Sequence, residues 1–355
     1  MPRVWDVPVR DSTRVRDARV AAEGAAALAG LDQPRTAAAA LVATELATNL
    51  LKHAEGGQVL IDVVPPPAPR EGGEHAPVVQ VAAVDHGPGI TDVAAALRDG
   101  FSTTRSLGAG LGTCRRVADD FHLHSAPGRG TVALARIGAA GRRAGAVVRE
   151  PVAPVRAGGI NIPFGAADHS GDAWTWVRAG DRLTLMLADG LGHGPQASHA
   201  SSAAVGTLRG AAHLPPSELL RRLDEALRGT RGAAVALAQL DLAAGRLRFC
   251  GVGNVGARLR EGGTWRHLLS RPGIVGAHQP TTLPETQADW TADSLLILHS
   301  DGLPSRWIPP SDPDAHTADP AVTAAVTVRD TSSPARPVRD DTTVAVLTPT
   351  PVGRP

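Results

Sequence analysis

Small apolar residues, mostly alanines, recur at helical spacing from Ser12 to Leu28, and a second run of the same kind extends from Pro34 to His53. The pattern then changes to short β-branched runs. Residues 3 to 9 read as an edge strand, and Val59 to Val64 and Val78 to Val84 as two more, with the proline- and glycine-bearing "PPPAPREGGEHAP" between the last two as a surface loop. A glycine-rich stretch leads into a helix predicted near Leu111 to Phe121. After it, "FHLHSAPGRGTVALARI" reads as strand, turn, strand, so a first domain with an antiparallel or mixed sheet ends near Ile137. The following "GAAGRRAGAVVREPVAPVRAGG" has no clean period and reads as a linker. From about Ile160 to Thr348 short strands dominate, broken by helical patterns at Gln196 to Ala211 and Ser217 to Leu227, an α+β or sandwich-like layout. Polar, proline-bearing Pro309 to Pro337 reads as a mobile excursion before the last strand. The expected organisation is a first domain over 1–138, a linker over 139–158, a second domain over 159–349 and a tail over 350–355.

Composition agrees with two domains, since 355 residues exceed one ordinary domain and 43% apolar content suffices for two cores. Lys+Arg 36 against Asp+Glu 35 gives a net charge of +1, which argues against a nucleic-acid surface built on overall charge. Cys114 and Cys250 are the only cysteines, so neither a disulfide framework nor a cysteine-rich zinc site is indicated, and a reducing compartment fits. The first residues are charged too early for a secretory signal, and no run of 18 apolar residues occurs. The expectation is a soluble cytoplasmic protein without membrane contact.

The candidate chemistry in the second half is carried by aspartates at strand ends. These are "SGDAW" (Asp172), "LMLADGLGHG" (Asp189), "LLILHSDGL" (Asp301) and "VRDDTTVAVL" (Asp340, Asp341). Apolar runs Leu183 to Ala188 and Leu295 to His299 precede two of them, so a buried strand delivers each carboxylate beside a glycine that permits a tight turn. Oxygen ligands without a Cys or His cluster favour Mg²⁺ or Mn²⁺ over zinc, and the set reads as a two-metal site. In the first half, Glu45, Asn49 and His53 share one face of the second helix, while Leu41, Leu46 and Leu50 supply the side that packs on the sheet. Alone, that stripe reads best as a solvated face. The segments that follow change the balance. "VAAVDHGPGI" sets Asp85 after a strand and before Gly87 and Gly89, where main chain can approach a flat base. "FSTTRSLGAGLGTCRRV" places Gly108, Gly110 and Gly112 at a helix entry whose free N–H groups suit phosphate oxygens.

Taken in order, "ELATNLLKHA", "DHGPGI", "GFSTTRSLGAGLGT" and "SAPGRGT" resemble the successive boxes of the GHKL ATPase and kinase superfamily, and most closely its RsbT-like anti-sigma-regulatory serine/threonine kinases. This resemblance covers residues 1–137 and implies an ATP-binding α/β sandwich of the Bergerat type. It implies that Asn49 binds Mg²⁺ between the nucleotide phosphates, Glu45 activates the attacking hydroxyl and Asp85 receives the adenine amino group. It further implies that Gly87 and Gly89 shape the base pocket, Gly108, Gly110 and Gly112 wrap the phosphates, and Thr131 orients the base. Arg105 either clamps the γ-phosphate or is an exposed lid arginine.

The four acidic motifs, with "GVGN" at Gly251 to Asn254, resemble the SpoIIE and RsbX branch of the metal-dependent type 2C serine/threonine phosphatases. That resemblance implies an α/β/β/α sandwich holding two Mn²⁺ or Mg²⁺ ions. Asp189 would bridge them, the Gly190 carbonyl and Asp172 would complete one site, and Asp301 with Asp340 the other; Asp341 is the lesser candidate of its pair. His193 either protonates the leaving alkoxide or packs in its own loop. Together the two resemblances imply a bifunctional partner-switching regulator that adds and removes phosphate on Ser/Thr of STAS-domain proteins, such as anti-sigma antagonists or stressosome components. A sigma factor or a downstream phosphatase is a further candidate partner. The alternatives are a phosphatase regulated by ATP and an anti-sigma-type binding module that uses ATP as a conformational ligand.

Overall fold

The computed structural model describes residues 3–67, 76–97, 110–139, 155–167, 169–311, 318–333 and 338–351. Arg105, Gly108, most of the expected linker and residues 68–75 of the proline loop lie outside them. The chain opens with β1 (Trp5–Val9), α1 (Ser12–Leu28), α2 (Gln33–His53), β2 (Gly57–Val64), β3 (Val78–Val84), a single turn α3 (Val93–Ala96), α4 (Gly110–Val117), β4 (Asp120–Ala126) and β5 (Gly130–Ile137). Asp11 starts α1 by accepting from the Thr13 N–H at 2.8 Å, and Asp32 starts α2 by accepting from Arg35 N–H at 2.9 Å, with Pro34 in the first turn. Buried Ala18, Ala22, Ala25, Ala39 and Ala43 keep the helix pair close together over one face of an antiparallel sheet ordered β1-β2-β3-β5-β4. The helix expected to reach Phe121 stops at Val117. Cross-strand pairing takes over there, because the Asp119 N–H bonds to the Arg136 carbonyl at 3.0 Å and Phe121 joins β4 opposite Ala135.

The second half is β6 (Val155–Ile162), β7 (Asp172–Ala179), β8 (Arg182–Gly190), α5 (Pro195–Ala211), α6 (Pro216–Leu227), β9 (Ala233–Asp241), β10 (Arg246–Val252), β11 (Gly256–Glu261), β12 (Thr264–Leu268), β13 (Thr286–Asp289), β14 (Leu295–His299), α7 (Pro320–Thr331) and β15 (Thr342–Pro349). Two antiparallel sheets, β13-β10-β9-β8-β7 and β12-β11-β14-β15-β6, face each other across Trp176, Leu185, Leu187, Phe249, Leu259, Leu298 and Leu347. Helices α5 and α6 cover the outer face of the first sheet through Leu208, Leu219 and Leu223 against Met186, Val235 and Leu237.

Two expectations need correction. The excursion over 309–337 contains α7, whose ten residues from Pro320 to Arg329 are all buried. It shows no amphipathic period because a helix buried all round, Thr323, Thr327 and Arg329 included, has no solvent face. The expected linker also runs too far: β6 begins at Val155 and pairs with β15 from Val155↔Pro349 to Ile162↔Thr342. Its glycines serve close packing rather than flexibility, since a Cβ on Gly158 would lie 2.8 Å from the Ala321 nitrogen and one on Gly159 2.8 Å from the Trp174 ring.

Helix α7 packs between the halves, which also meet directly where Gln80 donates to the Gly159 carbonyl at 3.0 Å. On one side it meets Ile160, Ile162, Ile297, Val344 and Val346, and on the other Leu60, Ala82, Val84, Val132 and Leu134 from the first sheet, all in one apolar cluster. A buried ion pair locks its start. Arg136 on β5 reaches Asp319, the α7 cap, with its two terminal nitrogens at 2.9 and 2.7 Å, and also Asp120 at 2.7 Å. Burial alone would raise the Asp319 carboxyl, but the Arg136 guanidinium outweighs it and holds the group below the usual carboxylate range. Removing Asp319 leaves the buried Arg136 guanidinium with Asp120 as its remaining carboxylate and strips the cap that accepts from Ala321 N–H and Val322 N–H. Asp319→Ala is therefore expected to cost about 3–5 kcal/mol, measured as a lower urea midpoint for unfolding. An unchanged midpoint would contradict the lock.

Candidate functional site

Strand pairing collects the acidic residues at one end of the sandwich. Asp172 opens β7 directly opposite Asp189 near the end of β8. In the facing sheet, Asp301 follows β14 and Asp340 and Asp341 precede β15. Those two segments are stitched together by Ser300 N–H to the Thr343 carbonyl at 3.1 Å and Thr343 N–H to Ser300 Oγ at 2.9 Å. Glycines permit the crowding: a Cβ on Gly190 would sit 2.1 Å from the Ala197 carbonyl oxygen, and one on Gly302 2.2 Å from Thr342 Oγ1.

Asp172 is 1% exposed, and neither of its carboxylate oxygens has a hydrogen-bond partner. Burial, and then the Asp189 charge, push its carboxyl well above the usual range. Burial, followed by the charges of Asp301 and Asp340, pushes Asp189 up to about 7, and burial with Asp340 also raises Asp301. A buried carboxylate opposite half-buried Asp189, with the charges of exposed Asp301 and Asp340 nearby, fits a cation, and the two orphaned Asp172 oxygens are the most direct sign of it.

Not every acidic residue here is free to bind. Asp341 spends its two oxygens on the backbone N–H groups of Phe164 and Gly171, each at 2.8 Å, so it organises the loop under Asp172. His193 is exposed in the turn between β8 and α5. Two residues without a specific sequence signal support the set: Asn254 donates to Asp301 Oδ2, and buried Asn161 donates to the Asp172 carbonyl at 2.9 Å. "GVGN" marks the first only as a turn, and nothing in "GGINIPF" marks the second.

Among the described residues, the acid and histidine side chains whose ligand atoms lie within 4.8 Å of one another are Asp120, His122 and Asp319. Arg136 already fills that group, and His122 Nε2 bonds to Asp120 at 2.8 Å, so its charge is met internally. Asp172, Asp189, Asp301 and Asp340 are not drawn together as closely as that group.

A raised aspartate makes stability fall with pH. Folded metal-free protein binds more protons than unfolded chain between the ordinary aspartate value and about 7 at Asp189, so stability is lost as pH rises through that window. Asp189→Asn removes this term. Its melting temperature without metal is expected to exceed that of wild type by a margin that grows from about pH 5 to about pH 8, and Mn²⁺ is expected to stabilise only wild type. A margin independent of pH would contradict the assignment.

In the first half, α2 presents Glu45 and Asn49 to the first residue of α4. A Cβ on Gly110 would lie 3.1 Å from Glu45 Oε2 and 3.3 Å from both Asn49 amide atoms, and the buried Asn49 Nδ2 has no partner. Gly112 is buried inside α4, whereas His53, third in the helical stripe, is exposed at the end of α2 and stays outside the cleft. Asp85, 7% exposed at the end of β3, accepts from Gly87 N–H at 2.8 Å and Thr131 N–H at 3.1 Å through the same oxygen. Burial raises its carboxyl and those two bonds pull it down.

Gly89 and Gly130 have φ of +73° and +86°, and a Cβ on them would lie 2.2 Å from the Ala126 carbonyl oxygen and 2.0 Å from that of Asp85. The turns "DHGPGI" and "PGRGT" therefore lie directly against each other. Ser125, the first residue of "SAPGRGT", joins them by accepting from Ile90 N–H at 2.8 Å and bonding Thr131 Oγ1 at 2.8 Å.

A carboxylate and an amide on one helix beside a glycine-started helix, and a strand-end acidic cluster between two sheets, are thus the two candidate sites, one in each half. Residues 9–136 match the histidine kinase-like ATPase domain family, and residues 179–349 match stage II sporulation protein E (SpoIIE). Serine/threonine-protein kinase RsbT of Bacillus subtilis (strain 168) is 40% identical over 88 residues, 25% of this chain and 61% of that protein. Phosphoserine phosphatase RsbX of the same organism is 27% identical over 135 residues, 38% of this chain and 67% of that protein. A solved structure described as the bacterial stressosome is 27% identical with a TM-score of 0.48, covering 54% of this chain and 98% of its own. The first half thus matches a histidine kinase-like ATPase domain and is similar to RsbT, and the second half matches SpoIIE and is similar to RsbX. No helix among the described residues is long and apolar enough to cross a membrane.

Proposed function

We propose that the chain moves phosphate from ATP onto a serine or threonine of a STAS-domain protein at its first site and hydrolyses that ester at its second. The observation that carries the phosphatase reading is Asp172, buried and unpartnered on both oxygens opposite Asp189. Asp172, Asp189, Asp301 and Asp340, with the Gly190 carbonyl, would hold two Mn²⁺ or Mg²⁺ ions, and Asn49 the Mg²⁺ that accompanies ATP. Bound there, such ions lower the pKa of water, orient it and offset phosphate charge. Asn254 keeps Asp301 in place, while Asp341 and Asn161 hold the backbone around Asp172.

At the first site, Glu45 takes the proton of the partner's hydroxyl as its oxygen bonds to the γ-phosphorus. The bond from that phosphorus to the bridging oxygen breaks, and ADP leaves. Asp85 fixes the base, and Gly87, Gly89 and Thr131 shape its seat. Support for a protein substrate comes from the relatives, one a serine/threonine-protein kinase and the other a phosphoserine phosphatase by name.

The test is to incubate the full chain with γ-labelled ATP, Mg²⁺, Mn²⁺ and a purified STAS-domain protein. Label is expected to enter the partner and, once ATP is exhausted, to leave as inorganic phosphate. Absence of label in the partner contradicts the kinase reading, and label that persists contradicts the phosphatase reading. The α7 core shared by both halves favours one second reading, a phosphatase tuned by ATP. A hydrolysis rate that changes with ATP, without label transfer, would select it.

A further inference from the structure

We propose that the last turn of α7, anchored by Arg329, is part of the adenine pocket, so that base recognition at Asp85 depends on a helix from the phosphatase half. This rests on the reading of Asp85 as the group that receives the adenine amine.

Three fastenings converge on that turn. His86, next to Asp85, has its ring Nε2 2.9 Å from the Arg329 carbonyl oxygen and 3.0 Å from that of Ser332. Both partners are acceptors, so Nε2 carries the proton and donates to carbonyls that the end of a helix leaves unpaired. Arg129, in the turn before β5, reaches Asp330 Oδ2 at 2.6 Å. Arg329 itself, 1% exposed, places Nε and Nη2 on Asp330 Oδ1 at 2.9 and 2.8 Å and turns Nη1 toward the Gly130 carbonyl at 3.5 Å.

These contacts matter because of what the same turns do for Asp85. Its two donors are the N–H groups of Gly87 and Thr131. Each belongs to the residue directly after one that α7 touches, His86 in the first turn and Gly130 in the second. The two turns cannot move apart from each other, since Gly130 lies so close that a Cβ would stand 2.0 Å from the Asp85 carbonyl oxygen. Helix α7 thus sets the carboxylate's direction by holding both of its donors. Arg329 also places a buried positive charge that favours ionised Asp85, together with His86 and against burial, while Asp330 offsets part of it. Packing alone gives no reason for an arginine here: α7 meets the rest of this core through Val322, Ala325, Val326 and Val328. Arg329 is a positioning residue, acting on the base through Asp85.

Calorimetric titration of the full chain with Mg²⁺–ATP and Mg²⁺–ITP separates positioning from general loosening, because ITP carries a carbonyl where adenine carries the amine. Wild type is expected to prefer ATP. Arg329→Gln and His86→Ala are expected to weaken ATP about tenfold or more with little change for ITP, collapsing the preference. Arg329→Lys, which keeps the charge and loses the fork, should fall between them. If buried Arg329→Gln does not fold, His86→Ala at its exposed position decides. Equal weakening of both nucleotides, or a wild-type preference in folded variants, overturns the proposal. Asp85→Asn identifies which reading fails. If it leaves the preference intact, the adenine assignment of Asp85 falls and this inference with it. If it abolishes the preference while Arg329→Gln and His86→Ala keep it, the role of α7 alone is overturned.

Discussion

Asp189→Asn is expected to reduce hydrolysis of a phosphoserine partner, or of p-nitrophenyl phosphate, by more than about 100-fold. Changing groups that only support a metal ligand costs about 10–100-fold, and a carboxylate that would itself hold the ions has the greater effect. The substitution keeps the shape of the side chain and removes its charge, so loss of activity with an intact fold reports on cation binding rather than on packing. The position is informative because the metal-free site is self-repelling. Asp189 feels Asp301, Asp340 and Asp341, and Asp172 lies opposite it without a hydrogen-bond partner. Activity within tenfold of wild type, at saturating Mn²⁺, would remove Asp189 from the site.

Glu45→Gln is expected to reduce phosphate transfer to the partner by about 10²–10⁴-fold, the range for losing a positioned base, while ATP still binds. Glutamine preserves the contact with Gly110 and the α2 face but cannot take up a proton. Asn49 and Asp85 are untouched, so ATP affinity within a few-fold of wild type separates loss of the base from loss of the cleft. Phosphorylation of the partner at the wild-type rate would leave Glu45 without its catalytic role. The phosphatase rate of the same variant is the internal control, since Glu45 lies in the other half of the chain.

Much of this was legible in the residues because local pattern and tertiary role coincide there. Helices α1 and α2 bury alanine-rich faces, although Leu41, expected on the sheet side, is exposed, and β2 and β3 are valine-rich runs, so their limits follow closely from the sequence pattern. Asp172, Asp189, Asp301 and Asp340 were readable as strand ends, and the pairing of Asp172 with Asp189 follows from the β7–β8 hairpin. What escaped was decided by contacts distant in sequence. Helix α7 is buried between two sheets and shows no period, so its segment resembled a loop. Gly158 and Gly159 looked like linker residues because the bodies they accommodate, Ala321 and Trp174, lie elsewhere in the chain. Arg329 is held first by neighbouring Asp330 but turned toward Gly130, 199 residues away, and Asn254 and Asn161 owe their places to partners 47 and 11 residues away.

If the carboxylates of the second half hold two divalent cations, the bound ions can be counted. Calorimetric titration of nucleotide-free, metal-free protein with Mn²⁺ is expected to show two ions per chain, with the Asp189→Asn variant losing that uptake. No Mn²⁺ uptake by wild type, or the same isotherm for wild type and Asp189→Asn, would contradict the account.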